Sequence, residues 1–407
     1  MKQIPIYFLI ILLFACLARI QAQSPNLIPF VSKGKWGLQD SIGKKLVEAI
    51  CDSAFMDPNG DVVLFKNKSI SLWTKGGQQL FNFGKYSSGA NFNRLIDNQL
   101  LPTHKAWAKR TDGRWVILDR SGAEYIPQDN FIETYAFNDG FSVVRKDSGM
   151  GLVNYLGEEV IPPIYDSIGI SFSEGRLAVL SGKYWALFDS TGIQRSPFEY
   201  LHIGQSHAHR IPFKDKTNKW GYLDSAGQVR IAAQYSYASD FSEGLAFCMR
   251  GDTIGYIDTS GHVLIPFQHF KYGGRYQEQR AYAGNDKRYG IIDNMGNIII
   301  WSSKYVTIES YSQGYAPVRY SENRLMGYLD WMGKPVILGK FDRSYGFKEY
   351  LGRVELNGKF GFVDRMGEFV INPVYDFAFD FSNGLSRVKK GDKIFYIDQK
   401  GKEYIYD

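Results

Sequence analysis

Aspartates placed three residues before a glycine are the most regular chemical feature of this sequence. They stand at Asp40, Asp119, Asp189, Asp224, Asp258, Asp293, Asp330, Asp364 and Asp398, while Thr74 and Asn154 hold the same place in two further copies. A row of carboxylates raises the question of calcium. Calcium takes about six to eight oxygens, and each copy offers only one regular carboxylate. The Gly-Gly-x-Gly-x-Asp pattern is also absent. Asp-x-x-Gly is turn chemistry instead. The first-position carboxylate accepts backbone N–H groups, and the fourth-position glycine takes φ > 0 in a G1 bulge joining two antiparallel strands.

Two other groupings of reactive side chains stand out. His202, His207 and His209 cluster between two copies of the turn. In an extended strand His207 and His209 share a face, which suits a metal pair, but no Cys or repeated carboxylate completes a shell. An exposed polar loop is the expectation. Glu158-Glu159 supply two carboxylates of the kind glycosidases use, yet neighbours in a strand point to opposite faces. Gly-x-Ser-x-Gly, His-Glu-x-x-His and Gly-x-x-x-x-Gly-Lys-Ser/Thr do not occur. No catalytic, cofactor-binding or metal-binding residue is assigned, and the chain is expected not to be an enzyme.

The elements that carry these residues repeat. The turn glycine recurs at Gly43, Gly77, Gly122, Gly157, Gly192, Gly227, Gly261, Gly296, Gly333, Gly367 and Gly401. Every spacing but one lies between 34 and 37 residues, the exception being 45 between Gly77 and Gly122. So steady a period marks a repeat architecture. Seven residues before the glycine an apolar side chain stands in every copy, as Trp36, Trp185, Trp220, Met326 and Phe360, and position −5 is apolar too. These two share a strand face. Position −6 is usually Gly, which implies close approach, and an aromatic from a neighbouring strand or unit is expected over it. An apolar strand follows the turn and often ends at proline, as in Val370-Ile371-Asn372-Pro373. An aromatic comes eight residues after the glycine, commonly before Asp, as Tyr165-Asp166 and Tyr375-Asp376. A second turn follows, as Phe172-Ser173-Glu174-Gly175.

Lys35-Trp36-Gly37-Leu38, Lys219-Trp220-Gly221-Tyr222-Leu223-Asp224 and Gly358-Lys359-Phe360-Gly361-Phe362-Val363-Asp364 resemble the WG-repeat family. The resemblance covers almost all of 26–407, with departures at Ile70-Ser71, at Val116 and at Ile394-Phe395. It implies a β-rich repeat protein, bacterial and often exported. It brings no catalytic residue with it.

The expected fold is therefore all-β. It is a tandem array of about eleven units of about 35 residues, each a three-stranded antiparallel sheet. One unit is too small to bury its aromatics alone, so neighbours must stack. An open, curved or superhelical array is the expectation and a closed β-propeller-like ring the alternative. Propeller blades usually take four strands and number about four to eight. Residues 86–111 are irregular and read as an insertion or a seam.

The N-terminus reads as a signal peptide over 1–22. Lys2 precedes the apolar run Ile4 to Ala15, and Ala22 closes a cleavage site; lipidation at Cys16 is the alternative. Residues 26–407 form the mature array. Export favours disulfides, but Cys51 and Cys248 are about six repeats apart and are expected to be buried and free. The formal charge of +6 falls to +4 without Lys2 and Arg19 and includes no basic run, which argues against nucleic acid. The expected function is non-catalytic binding or scaffolding at the bacterial cell envelope, with a protein partner. Binding of glycan or peptidoglycan by exposed aromatics is the alternative, and a hydrolase sited in 86–111 is third. Tyr272, Tyr276, Tyr311 and Tyr350 break phase and are the candidate exposed rings.

Overall fold

The computed structural model describes residues 26–57, 59–89, 93–96, 99–102, 105–119, 121–169 and 172–406. The expected leader over 1–22, with Cys16, lies outside them. The described residues form strands and turns and no helix.

The sixth unit shows the plan. His202–Ile203, Ile211–Lys214, Trp220–Leu223 and Val229–Tyr235 pair in sequence order as a four-stranded antiparallel sheet. Among the described residues eleven such blades succeed one another, at 27–51, 53–81, 86–125, 133–165, 167–189, 202–235, 237–270, 272–302, 305–341, 343–375 and 377–398. Nine are four-stranded and two, the fifth and eleventh, are three-stranded. The expected three-stranded unit thus lacks one strand. The extra strand is the first in most blades and is often two residues long, as at Tyr237–Ala238 and Phe377–Ala378. Two residues are too few to show alternation.

The strand-to-turn chemistry is as the sequence implies. Asp224 Oδ1 accepts the N–H groups of Ala226 and Gln228 at 2.9 and 3.0 Å, and Gly227 sits at φ +81°. The glycine at −6 has a different cause from the one expected. Between Trp220 and Tyr222 the register to the fourth strand shifts, with Trp220 opposite Tyr235 and Tyr222 opposite Ile231. The bulged strand pushes its backbone inward, and a Cβ on Gly221 would meet Ile231 O at 2.5 Å. At Gly37 and Gly255 the rings of Phe30 and Phe267 do crowd the same position.

The core lies between blades. Tyr222, Ile231 and Tyr235 of blade 6 pack with Ala238, Phe241, Ala246 and Cys248 of blade 7. The buried Tyr222 hydroxyl donates to Ser239 O in blade 7 at 2.7 Å; Tyr256 and Tyr328 do the same one and three blades on, to Gly274 O and Tyr345 O. Each of these three buried hydroxyls so finds an acceptor in the next unit. Cys51 and Cys248 are both buried and free.

The blades close into a ring, so the open array does not form. Ile405–Tyr406 pairs in parallel with the first strand of blade 1, through Val31 and Ser32, and Val31 N–H donates to Tyr404 O at 3.1 Å. Leu27, Phe30 and Trp36 share one buried cluster with Phe395, Tyr396 and Tyr404. An open array would leave both of these faces in water. Within residues 86–111 the described strands include a hairpin that interrupts the blade. The hairpin Asn93–Ile96 with Gln99–Pro102 is set between the first two long strands of blade 3.

Candidate functional site

The repeated carboxylates are all committed to their own turns. In each of the eleven copies the Asp, Asn or Thr accepts the N–H four residues on. Glu158 is likewise bonded to Asn154 within its turn, by its N–H and its carboxylate. Among the described residues no group of three His, Cys, Asp or Glu side chains is placed to hold a metal ion.

The turns between the first and second strands converge on the hub of the ring and grip one another. Glu174 Oε2 accepts the Ser206 hydroxyl at 2.7 Å and the His209 N–H at 2.8 Å, in the next blade. Burial would raise the Glu174 carboxyl, but these donors hold it below its ordinary value. The same reach recurs from Glu243 to Gln279 and from Glu349 to Gly384. Glu174, Glu243, Glu278 and Glu349 all adopt positive φ, between 48° and 54°.

This hub holds a cavity of 1330 Å³. Six successive blades, 4 to 9, line it through their first strands and turns, which places those strands on the inside of the ring. The middle of that arc is blade 6, where the histidines lie. Their arrangement differs from the extended strand the sequence implies. Ala208 and His209 both take positive φ, 52° and 56°, so His209 sits inside a tight turn closed by His207 and Arg210 and does not share a strand face with His207. His209 lies on the exposed side beside Glu174. His207 and His202 line the cavity. The exposed His202 ring sits between Trp185 and Trp220, with centroids 6.4 and 5.3 Å away, and the partial loss of water between the two indoles draws its pKa below the ordinary value against the pull of Asp240. The row continues to Tyr237, 5.8 Å from Trp220. Beside it Arg275 of blade 8 is ion-paired to Asp240 of blade 7. Trp185 and Trp220 occupy the −7 position that the sequence assigns to core, yet both remain partly exposed on the cavity wall. The period shows which face such a ring takes but not whether anything covers it.

Of the four tyrosines singled out, Tyr272 and Tyr350 are exposed. Tyr276 and Tyr311 are buried, because they stand in phase with Phe241 and Phe381 and donate to Asp293 O and Asp330 O at 2.8 Å.

A second surface lies at the Asp-x-x-Gly turns of blades 8, 9 and 10. There the residue before the glycine is Met295, Met332 and Met366, where blades 6 and 7 have Ala226 and Ser260. These methionines are 78%, 58% and 78% exposed, and Trp331 beside Met332 is 57% exposed. Arg280 donates to Trp331 O at 3.2 Å and lies over its ring, and Arg365 lies 4.9 Å from the centre of Tyr350. No signal other than this local change of residue type marks the patch in the sequence.

A closed ring of small antiparallel sheets, built from one repeated unit, defines a propeller-like repeat protein. The chain belongs to the family described as "WG containing repeat", whose model matches 150–185, 220–252, 254–287, 289–323, 326–360 and 360–393, together just over half of its length. The span left unmatched inside that range, 186–219, includes the first strand and hub turn of blade 6. No curated protein sequence matches the chain. Solved structures similar to it include a eukaryotic initiation factor, at 12% identity over 78% of this chain and 96% of that one, with a TM-score of 0.42. BamB from Moraxella catarrhalis is similar at 11% identity over 76% and 98%, with a TM-score of 0.33. The WD40 propeller domain of Doa1 is similar at 13% identity over 59% and 94%, with a TM-score of 0.25.

Proposed function

We propose that the protein is a non-catalytic scaffold of the bacterial cell envelope that binds a protein partner through the rim of blades 8 to 10. The observation that carries this reading is the run of exposed Met295, Trp331, Met332 and Met366 on three successive turns; Ile42 and Leu156 are exposed at the same place, but each stands alone between turns with small or polar residues. Methionine gives an adaptable apolar surface, and Trp, Tyr and Arg anchor protein interfaces. Such a patch costs solubility unless something covers it. The commitment of the repeated carboxylates to turn bonds supports a non-catalytic role. Lys2 and the apolar run Ile4 to Ala15 support export to the periplasm or cell surface, and among the described residues no helix is long and apolar enough to cross a membrane.

Capture from an envelope extract tests the reading, with wild type compared to Met295→Ser/Met332→Ser/Met366→Ser. A defined protein is expected on wild type and strongly reduced on the variant. Equal retention by both moves the interface elsewhere, and a turnover activity in the purified protein ends the non-catalytic reading.

A further inference from the structure

We infer that the hub cavity is a separate binding site for a neutral oligosaccharide. The wall formed by Trp185, His202, Trp220 and Tyr237 runs in steps of 6.4, 5.3 and 5.8 Å and stays partly open to the cavity. Aromatic faces present a π-surface with an apolar body, and Tyr and Trp add a polar tip. The C–H face of a sugar ring packs on such a surface, while its hydroxyls need donors and acceptors at the edge. The cavity supplies both. Arg275 and Asp240 form an ion pair in the same lining as Tyr237, and Gln205 and Gln277 offer amides.

Charge decides between ligand classes. Among the described lining residues Arg176 and Arg275 balance Asp240 and Glu243. Arg176 donates to Ser225 O at 2.5 Å, and Glu243 accepts the Gln279 N–H at 2.8 Å. An anionic ligand finds no surplus of cations in this lining: Arg275 is already paired to Asp240, and Arg176, whose guanidinium donates to the carbonyls of Ser225 and Gly175, is matched in number by Glu243. A neutral polyol bonds to both members of the Asp240–Arg275 pair and leaves them paired. Size points the same way. The 1330 Å³ exceeds the roughly 300–1,000 Å³ of ordinary small-molecule pockets, so an oligomer fits better than a monosaccharide. The span the family model leaves unmatched, 186–219, supplies His202 and Gln205, while Trp185, Trp220, Tyr237, Asp240 and Arg275 come from matched repeats.

Calorimetric titration of the full chain with cellohexaose, chitohexaose and maltohexaose tests this, with an oligogalacturonate as the anionic control. At least one neutral oligosaccharide is expected to bind, and more tightly than the oligogalacturonate. Tyr237→Ala and Trp220→Ala should each weaken binding by about tenfold, the scale of one lost stacking contact. Tyr237 is the more exposed of the two, so Tyr237→Ala is expected to melt as wild type does, and a matching melting curve separates lost binding from lost folding. Met366→Ser on the rim should bind as wild type does, which keeps this site independent of the protein interface. Absence of binding by all three neutral sugars, tighter binding of the oligogalacturonate, or undiminished binding by Tyr237→Ala overturns the inference.

Discussion

Glu278 of blade 8 holds the hub turn of blade 9 at Gln313: its two carboxylate oxygens accept the N–H groups of Gln313 and Gly314, each at 2.8 Å. Gln313 in turn accepts the Tyr350 N–H of blade 10 at 2.9 Å, and Glu349 accepts the Gly384 N–H of blade 11 at 3.0 Å. A relay of side chain to backbone thus runs from blade to blade. Glu278 makes these bonds from φ +54°, a conformation that disfavours any residue but glycine. Glycine would relieve that strain and lose both bonds. Glu278→Gly is therefore expected to lower stability by about 1–2 kcal/mol in urea denaturation. A variant as stable as wild type would show that the relay does not stabilise the ring.

The two kinds of glycine in the unit should respond differently to alanine. At Gly244, φ is +82° and no heavy atom lies within 4 Å of the place a Cβ would take, so the cost of Gly244→Ala is that of its backbone conformation alone, about 1–2 kcal/mol. Gly221 has an ordinary φ but faces Ile231 O at 2.5 Å and Ala233 N at 2.8 Å. Backbone atoms in a bulge cannot swing aside as a side chain does, so Gly221→Ala is expected to cost more than Gly244→Ala. Thermal melts of the two variants side by side check the order.

What is legible in the sequence follows from where each constraint acts. Asp224 and Gly227 are readable because a local acceptor and a positive φ demand those residue types at a fixed spacing. Cys51, in the slot of Tyr235, is readable as buried for the same reason. Closure is not, because it depends on the angle between stacked blades and is realised only where Val31 meets Ile405, 374 positions apart in the chain. The tight turn at Ala208-His209 is hidden because neither residue is a usual αL former, whereas Glu243-Gly244 announces the same turn by its glycine. Period alone assigns Trp220 to the core, as holds for Met326 and Phe360 at the same position; Trp220 is partly exposed because it lines the hub cavity.

Asp189 gives the fold an acid-sensitive point. Burial would raise its pKa, but the hydroxyl and N–H of Thr191, the Arg195 guanidinium and the Ile193 N–H outweigh burial and hold it at about 2, against an ordinary 3.8. The folded state therefore binds this proton less tightly than the unfolded state. The resulting stability is fully present above about pH 4 and is lost as pH falls toward about 2. Asp189→Asn should remove that part of the pH dependence. Melting temperatures from pH 5 down to about 2 are expected to fall more steeply for wild type than for the variant, and parallel curves would contradict the assignment.

The seam is the last place where blade-to-blade contact must be made, and it rests on few residues. Tyr404 is buried, its N–H donates to Tyr396 O at 2.9 Å and its carbonyl accepts from Val31. Tyr375 donates to Glu403 at 3.1 Å, and Tyr406 packs edge-on against Phe30 at 5.6 Å. On the hub side Tyr396 accepts the Met56 N–H of blade 2 at 3.0 Å, so blade 11 also reaches past blade 1. Ending the chain at Lys402 removes the strand that joins blade 11 to blade 1 but leaves the Tyr396–Met56 contact. The truncated protein is expected to remain folded over its middle blades, because each of those is stabilised by its own neighbours. It should unfold in two steps where wild type unfolds in one, the first step reporting blades 1 and 11. Small-angle scattering should show a larger radius of gyration once the ring can open. An unchanged single transition and an unchanged radius would mean that the hub contacts close the ring without the C-terminal strand.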